Sequence, residues 1–257
     1  NWGCELIIQI ASDLHLEFLQ NKAFLETNPL LPEGEILILA GDIVPFAIMN
    51  KHMDFFSYIS DQFPITYWVP GNHEYYYFDI ANKCGVICEK IKENVVLVNN
   101  ISIIDKELKL IFSTLWSSIS PVTHWKIEQQ ISDFQVIKYN GERFSSNQFN
   151  IFHEESKAFL VNELNKVDTH KTVVVTHHVP TFKNYPEKYS GSALNEAFAV
   201  ELFDLIANHG PEYWIYGHHH YNTIDFKIGN TMMVTNQLGY VKLGEHASFL
   251  TYKCFEL

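Results

Sequence analysis

Five short clusters of oxygen and nitrogen ligands punctuate this chain, and most follow directly on an apolar, β-branched run. Asp13-Leu14-His15 follows residues 6–10, Gly41-Asp42 follows 36–40, and Gly71-Asn72-His73-Glu74 comes just after 65–69. Thr176-His177-His178 follows 172–175, and Gly217-His218-His219-His220 follows 213–216. Short apolar runs bounded by Gly or Pro read as buried strands of an α/β sheet, where ligands gather at the carboxyl ends of the strands. That geometry brings all five clusters to one edge.

The remaining pattern fills in an α/β order. Apolar spacing predicts helices over 50–63, 78–92, 149–167 and 198–208. Residues 95–98, 101–104 and 108–112 read as strands, the last two joined in a hairpin across Asp105-Lys106-Glu107. Residues 223–228, 231–235 and 248–255 read as an antiparallel run that turns first at Gly229-Asn230. Residues 113–147 read as loops and short helices with no assigned role, and 180–192 as a surface loop rich in Pro, Tyr, Gly and Ser.

At 257 residues and 47% hydrophobic content the chain buries a substantial core, and one domain over 1–257 is expected. A formal net charge of -12 argues against duplex nucleic acid, which needs a basic face. Arg143 is the only arginine, so no two-arginine phosphate clamp exists. Cys4, Cys84, Cys88 and Cys254 form no CxxC pair and read as small hydrophobes in a reducing cytosol. No apolar run approaches the roughly 18 residues of a membrane span, so a cytoplasmic protein is expected. The first residue, Asn1, is not methionine, which leaves room for a removed leader.

Each cluster alone is weak; the set carries the argument. Asp13, His15, Asp42, Asn72, His177, His218 and His220 offer seven oxygen or nitrogen ligands and no thiolate, which suits divalent Mn, Fe or Zn. Seven are too many for one catalytic zinc with an open position. They suit two ions about 3.5 to 4 Å apart that share a carboxylate and a water. Asp13, Asp42 and a bridging hydroxide do not cancel the charge of two such ions, so the site attracts a phosphate.

In order, Asp13-x-His15, Gly41-Asp42, Gly71-Asn72-His73-Glu74, His177 and Gly217-His218-x-His220 resemble the full signature of the calcineurin-like metallophosphoesterases. The segments 37–42, 69–76, 114–116 and 176–180 look like the small bacterial phosphohydrolases of that superfamily. The resemblance implies a four-layer α/β/β/α sandwich of two mixed sheets flanked by helices, with two metals between the loops at the strand ends. It implies Asp13, His15 and His220 on the first metal, Asn72, His177 and His218 on the second, and Asp42 bridging. A hydroxide between the metals would attack phosphorus, with Asp42 and Asn72 holding the site. His73 would contact the phosphate and protonate the leaving oxygen, a role that also suits its position at the head of the 78–92 helix.

One departure bears on substrate. Protein phosphatases of this superfamily continue Gly-Asp-x-Val-Asp-Arg-Gly, with an Asp that orients the catalytic His and an Arg that clamps phosphate. Here Pro45 and Phe46 stand in those places. A monoanionic diester needs less positive charge than a dianionic monoester, so phosphodiester hydrolysis is favoured over phosphomonoesterase or nucleotide pyrophosphohydrolase activity, and a non-catalytic scaffold is disfavoured. His73 then needs support from Glu74 or another group. His178 and Asn195 are further candidates for substrate contact, alongside Asn72 and His73. His219 occupies the variable position and is not expected to be a ligand. Tyr75, Tyr76, Tyr77 and Phe78 are read chiefly as packing, and the 180–192 loop as the part that shapes the substrate site.

Overall fold

The structure is a computed structural model and describes residues 6–167 and 169–257. Cys4 lies outside them, and Cys84, Cys88 and Cys254 are free thiols.

Each apolar run becomes a strand. The first sheet takes β1 (Ile7–Ala11), β2 (Ile36–Leu39), β3 (Ile65–Trp68), β4 (Ile87–Lys92) and β5 (Val95–Asn99). The second opens with the antiparallel hairpin of β6 (Ile101–Asp105) and β7 (Leu108–Ser113). A small hairpin, β8 (Lys138–Tyr139) and β9 (Glu142–Arg143), stands apart. β10 (Lys171–Thr176), β11 (Tyr213–Ile215), β12 (Phe226–Ile228) and β13 (Thr231–Val234) complete the second sheet, and β14 (Cys254–Glu256) returns to the first. The strand orders are β14-β1-β2-β3-β5-β4 and β12-β13-β11-β10-β7-β6. In each sheet the inner strands run parallel and both edge strands antiparallel.

Alternation along the strands builds the layers, because successive side chains point to opposite faces. Ile8, Ile10, Ile36 and Ile38 meet Leu110, Phe112, Val173 and Val175 between the sheets. Leu37, Leu39 and Trp68 face outward onto Leu25 of α1 (Leu19–Thr27) and onto Phe56 and Ile59 of α2 (Met53–Gln62). The region 113–147 carries α3 (His124–Gln130) and α4 (Asp133–Val136). Beyond the second sheet, Ile111, Val174, Trp214 and Met233 meet Leu160 of α5 (Ser146–Leu164) and Ile206 of α6 (Phe203–His209). The fold is therefore α/β, with two mixed sheets flanked by helices. No helix among the described residues is long and apolar enough to cross a membrane.

Several expectations need correction. The 78–92 segment is not a helix: after a single 3-10 turn at Ile80–Asn82, Gly85 takes a φ of 70° and the chain enters β4. Pairing with β5 decides the matter, since Ile87 and Ile91 fit a strand's alternation as well as a helix's period. His73 consequently begins only a three-residue turn, His73–Tyr75, and the anion-site argument from a following helix falls. The 198–208 helix starts at Phe203 because Ala199 is drawn into a bridge with Val179. Residues 223–255 are not one antiparallel run: β12 and β13 form the hairpin, but β14 crosses to pair with β1. Helix α1 went unread because Asn21 and Leu25 are its only buried residues, too few to set a period.

The 113–147 region has a structural function. Trp116, Ile127, Phe134, Phe144 and Phe149 form a separate apolar cluster with Tyr75, and this places α4 against the His73 turn.

Candidate metal centre

The loops that leave β1, β2, β3, β10 and β11 converge at the carboxyl edge of both sheets, which is where α/β folds place their ligands. Backbone bonds lash them together: Asp13 N–H donates to Gly41 O at 2.9 Å, His15 N–H to Asp42 O at 3.0 Å, and Gly217 N–H to His177 O at 3.0 Å. The ligand residues occupy unusual backbone. Asp13, His15, Asp42, His218 and His220 have φ of 54°, 49°, 57°, 79° and 49°, a region costing about 1–3 kcal/mol per non-glycine residue. Gly41 and Gly71 make the close approach feasible, since a Cβ on either would collide with His177 and, for Gly71, with Asp42 as well.

The expected ligands fall into two groups, Asp13, His15, Asp42 and His220 in one, and Asp42, His177 and His218 in the other, with atoms of each group within 4.8 Å of one another; a third such group, His15, Glu17 and His73, adjoins the first. Asn72 joins the second group through its Oδ1, 3.2 Å from His177 Nε2. Asp42 belongs to both, its Oδ2 lying 3.8 Å from His15 Nε2 and its Oδ1 3.4 Å from His177 Nε2. All seven residues expected as ligands therefore come together.

The outer hydrogen bonds test whether these groups fit metal ions. His15 Nδ1 meets Glu17, His220 Nδ1 meets Glu245 at 2.8 Å, His177 Nδ1 meets Ala40 O at 2.8 Å, and His218 Nε2 meets Ala197 O at 3.2 Å. With each outer N–H given to an oxygen, the inner nitrogens turn lone pairs toward each other, at 2.9 Å for His15 and His220 and 3.1 Å for His177 and His218. Only a proton or a cation between them makes such pairs favourable, and outer partners of this kind are the usual support of metal-ligating histidines. The donor set fits two divalent ions.

Electrostatics agree. Burial opposes charge on His220 and His177, yet Asp13 and Glu245 lift His220 to about 10, and Asp42 lifts His177 to about 9. Positive charge is what this centre stabilises. Burial also works against ionisation of Asp42, but His177 and His73 outweigh it and hold its carboxyl well below the usual range.

Residues 8–222 match the calcineurin-like phosphoesterase family. The chain belongs to that family. The phosphoesterase is 33% identical over 261 residues to a curated Acanthamoeba polyphaga mimivirus protein, "Uncharacterized protein L509", covering 91% of each. Its fold is similar to the phosphopantetheinyl hydrolase of Mycobacterium tuberculosis, with a TM-score of 0.72 and 18% identity, covering 99% of this chain and 96% of that one. Family and fold together make it a metal-dependent phosphoesterase with a candidate dimetal site.

Around the phosphoesterase's candidate ligands stands a ring of carboxylates that reading along the chain does not single out. Glu17 Oε1 lies 2.9 Å from His73 Nδ1 and 3.1 Å from His15 Nδ1. Burial raises its pKa, but the two imidazoles more than offset this and bring it to about 2. Asp133 Oδ1 accepts from Asn72 Nδ2 at 2.8 Å and Tyr76 OH at 2.9 Å, which turns the Asn72 carbonyl oxygen toward the second group. Glu245 supports His220. Only Glu17 leaves a signal in the sequence, its place two residues after His15.

Glu74 does not support His73. Its carboxylate accepts from Ile43 N at 2.7 Å, Trp68 Nε1 at 3.0 Å, Gly71 N at 2.7 Å and Asp42 N at 3.0 Å. Burial and the Asp42 charge push its pKa up to about 8, and the donors only partly pull it back. All four donors are satisfied only by the ionised form, because a carboxylic proton would have to face one of them.

His178 is fully buried and does not line the cavity beside the metal centre, its ring lying 4.2 Å from that of His218 and 5.3 Å from that of Trp116. Asn195 does line the cavity beside the metal centre, where its amide also donates to Tyr189 O at 2.8 Å. Of the aromatic run, Tyr75 is core and Tyr77 is exposed, but Tyr76 lines the cavity and stacks on His73 at 3.9 Å. The buried His219 pairs through Nδ1 with Gln237, and burial lowers it to about 4. His219→Ala is therefore expected to keep the metal content of the parent by elemental analysis, whereas His218→Ala and His220→Ala lose metal. Loss of metal in His219→Ala would show that the ligand register is off by one.

Proposed function

We propose that this phosphoesterase hydrolyses phosphodiesters, with His73 donating a proton to the leaving oxygen. The observation that carries the reading is the lining of the cavity of about 330 Å³ beside the metal centre, which includes neither lysine nor arginine. Asp133 and Glu245 line it as well. The sole arginine, Arg143, donates to the Phe134 and Glu128 carbonyls and so braces the 113–147 region. A monoester dianion would find no lysine or arginine in that lining to hold its extra charge, the Lys188 ammonium lying over the Tyr189 ring on the 180–192 loop. A diester monoanion needs none beyond the centre itself.

Asp13, His15 and His220 would hold one divalent ion, Asn72, His177 and His218 the other, and Asp42 both; Mn, Fe, Zn or a mixed pair suits these donors. Such ions lower the pKa of water and neutralise charge on the non-bridging oxygens. The protein's own part is positioning. With Nδ1 held by Glu17, His73 keeps Nε2 for the substrate, and Tyr76 stacked on the ring fixes its plane. Tyr185, Tyr189, Phe198 and Tyr240 give the cavity an aromatic lining for an ester group, with the 180–192 loop contributing the first two.

The test is kcat/KM on bis(p-nitrophenyl) phosphate and on p-nitrophenyl phosphate, using chelated protein reloaded with Mn. The diester is expected to win by about tenfold or more, the scale of about 1.4 kcal/mol of differential transition-state binding. A preference for the monoester would sink the reading.

A further inference from the structure

We infer that Glu17 is the positioning residue for His73, and that one oxygen of its carboxylate ties the proton donor to the first metal group. The inference deepens the phosphodiesterase reading and rests on it for the role of His73. Where protein phosphatases of this superfamily carry an orienting carboxylate, this chain has Pro45. The replacement comes from another loop.

The geometry is specific. Two imidazole nitrogens, His73 Nδ1 at 2.9 Å and His15 Nδ1 at 3.1 Å, converge on Glu17 Oε1. A carboxylate oxygen only accepts, so both nitrogens carry their hydrogen there. That fixes both tautomers. His15 then presents the lone pair of Nε2 to the first metal group, and His73 presents Nε2 on the side of the Tyr240 hydroxyl, 3.4 Å away. The His15 and His73 rings meet edge to face at 4.4 Å, and Tyr76 closes the opposite contact by stacking. The second oxygen of Glu17 is buried and has no hydrogen-bond partner, so the side chain is held through this one shared atom. A purely structural carboxylate would be expected to satisfy both oxygens.

The consequence is chemical. As an oxygen from water bonds to phosphorus and the bond from phosphorus to the leaving oxygen breaks, His73, as imidazolium, gives its Nε2 proton to that leaving oxygen. The neutral imidazole keeps its Nδ1 hydrogen on Glu17 and recovers the other from water. Without Glu17 the ring is free to exchange tautomers, and the donor is no longer aimed.

Two readouts test this. In chelated protein carrying ¹⁵N-histidine, at a pH where the imidazole is neutral, His73 is expected to show the Nδ1–H tautomer, assigned by its absence from His73→Ala. Glu17→Ala should lose that preference, and the nearly isosteric Glu17→Gln, which keeps one acceptor oxygen, should fall between. In Mn-loaded protein, Glu17→Gln is expected to lower kcat about 10²-fold on a diester with an alkyl leaving group, and less than about tenfold on bis(p-nitrophenyl) phosphate, whose good leaving group needs little protonation. KM should change little. An Nδ1–H tautomer retained in Glu17→Ala, or equal losses on both diesters, would overturn the inference. A wild type inert on both diesters would sink the phosphodiesterase reading alone, since the tautomer measurement still decides whether Glu17 orients His73.

Discussion

Glu74→Gln is expected to be among the most destabilising of the single substitutions at this site, costing about 4 kcal/mol, since each hydrogen bond to a buried charged group is worth about 1.5–3 kcal/mol. Glu74 is fully buried, and its two oxygens each accept two N–H groups, from Ile43 and Trp68 on one side and from Asp42 and Gly71 on the other. A glutamine matches the shape but offers one oxygen and one NH₂. Whichever way the amide turns, two N–H donors face another donor and stay unsatisfied. The loops that lose their anchor are those after β2 and β3, which carry Asp42, Asn72 and His73, so metal content should fall together with stability. Urea unfolding of the chelated protein measures the first effect and elemental analysis the second. The midpoint should drop with an unchanged slope, as befits a weaker but equally compact native state. A loss below about 1 kcal/mol would mean that the four donors find other acceptors.

What reading along the chain could and could not reach follows from how these residues are placed. That Asp13, His15, Asp42, Asn72, His177, His218 and His220 come together was legible because each follows a strand end, and a strand end is set locally by an apolar run and its terminator. Gly41 before Asp42 and Gly71 before Asn72 belong to the same local pattern, and their reason is steric: a side chain there would occupy the space of a neighbouring ligand. Asp133 is different. It reaches Asn72 only because Trp116, Phe134, Phe144 and Phe149 pack α4 against the His73 turn, a tertiary event with no period to announce it. Glu245 supports His220 from a late turn in the same way. Glu17 was visible as a neighbour of His15, but nothing local says that it also crosses to His73. The misread 78–92 segment shows the opposite failure. Its isoleucines satisfy two periods at once, and only the hydrogen bonds of β5 choose between them.

Asp42→Asn is expected to separate function from fold. Asp42 is the one residue common to both ligand groups, and each of its oxygens faces a histidine of a different group. Asparagine retains a carbonyl oxygen for the His73 backbone N–H, now accepted by Asp42 Oδ1 at 2.9 Å. It also tolerates the left-handed backbone that Asp42 adopts at a φ of 57° better than most residues do. Chelated Asp42→Asn should therefore keep the parent's fold, at a cost of up to about 3–5 kcal/mol for leaving His177 without its buried carboxylate partner. Metal-loaded protein should behave differently. The amide nitrogen cannot act as a ligand in place of the second carboxylate oxygen, and a negative charge between two dications is gone. Metal content should fall to one ion or fewer per chain, and kcat/KM on bis(p-nitrophenyl) phosphate by about 10³-fold or more, since losing one preorganised electrostatic contact already costs about 10²–10³. The rise in melting temperature that metal gives the parent should shrink in the variant, because a ligand stabilises only as far as it binds the native state. Two ions retained with activity near that of the parent would remove Asp42 from the bridging position.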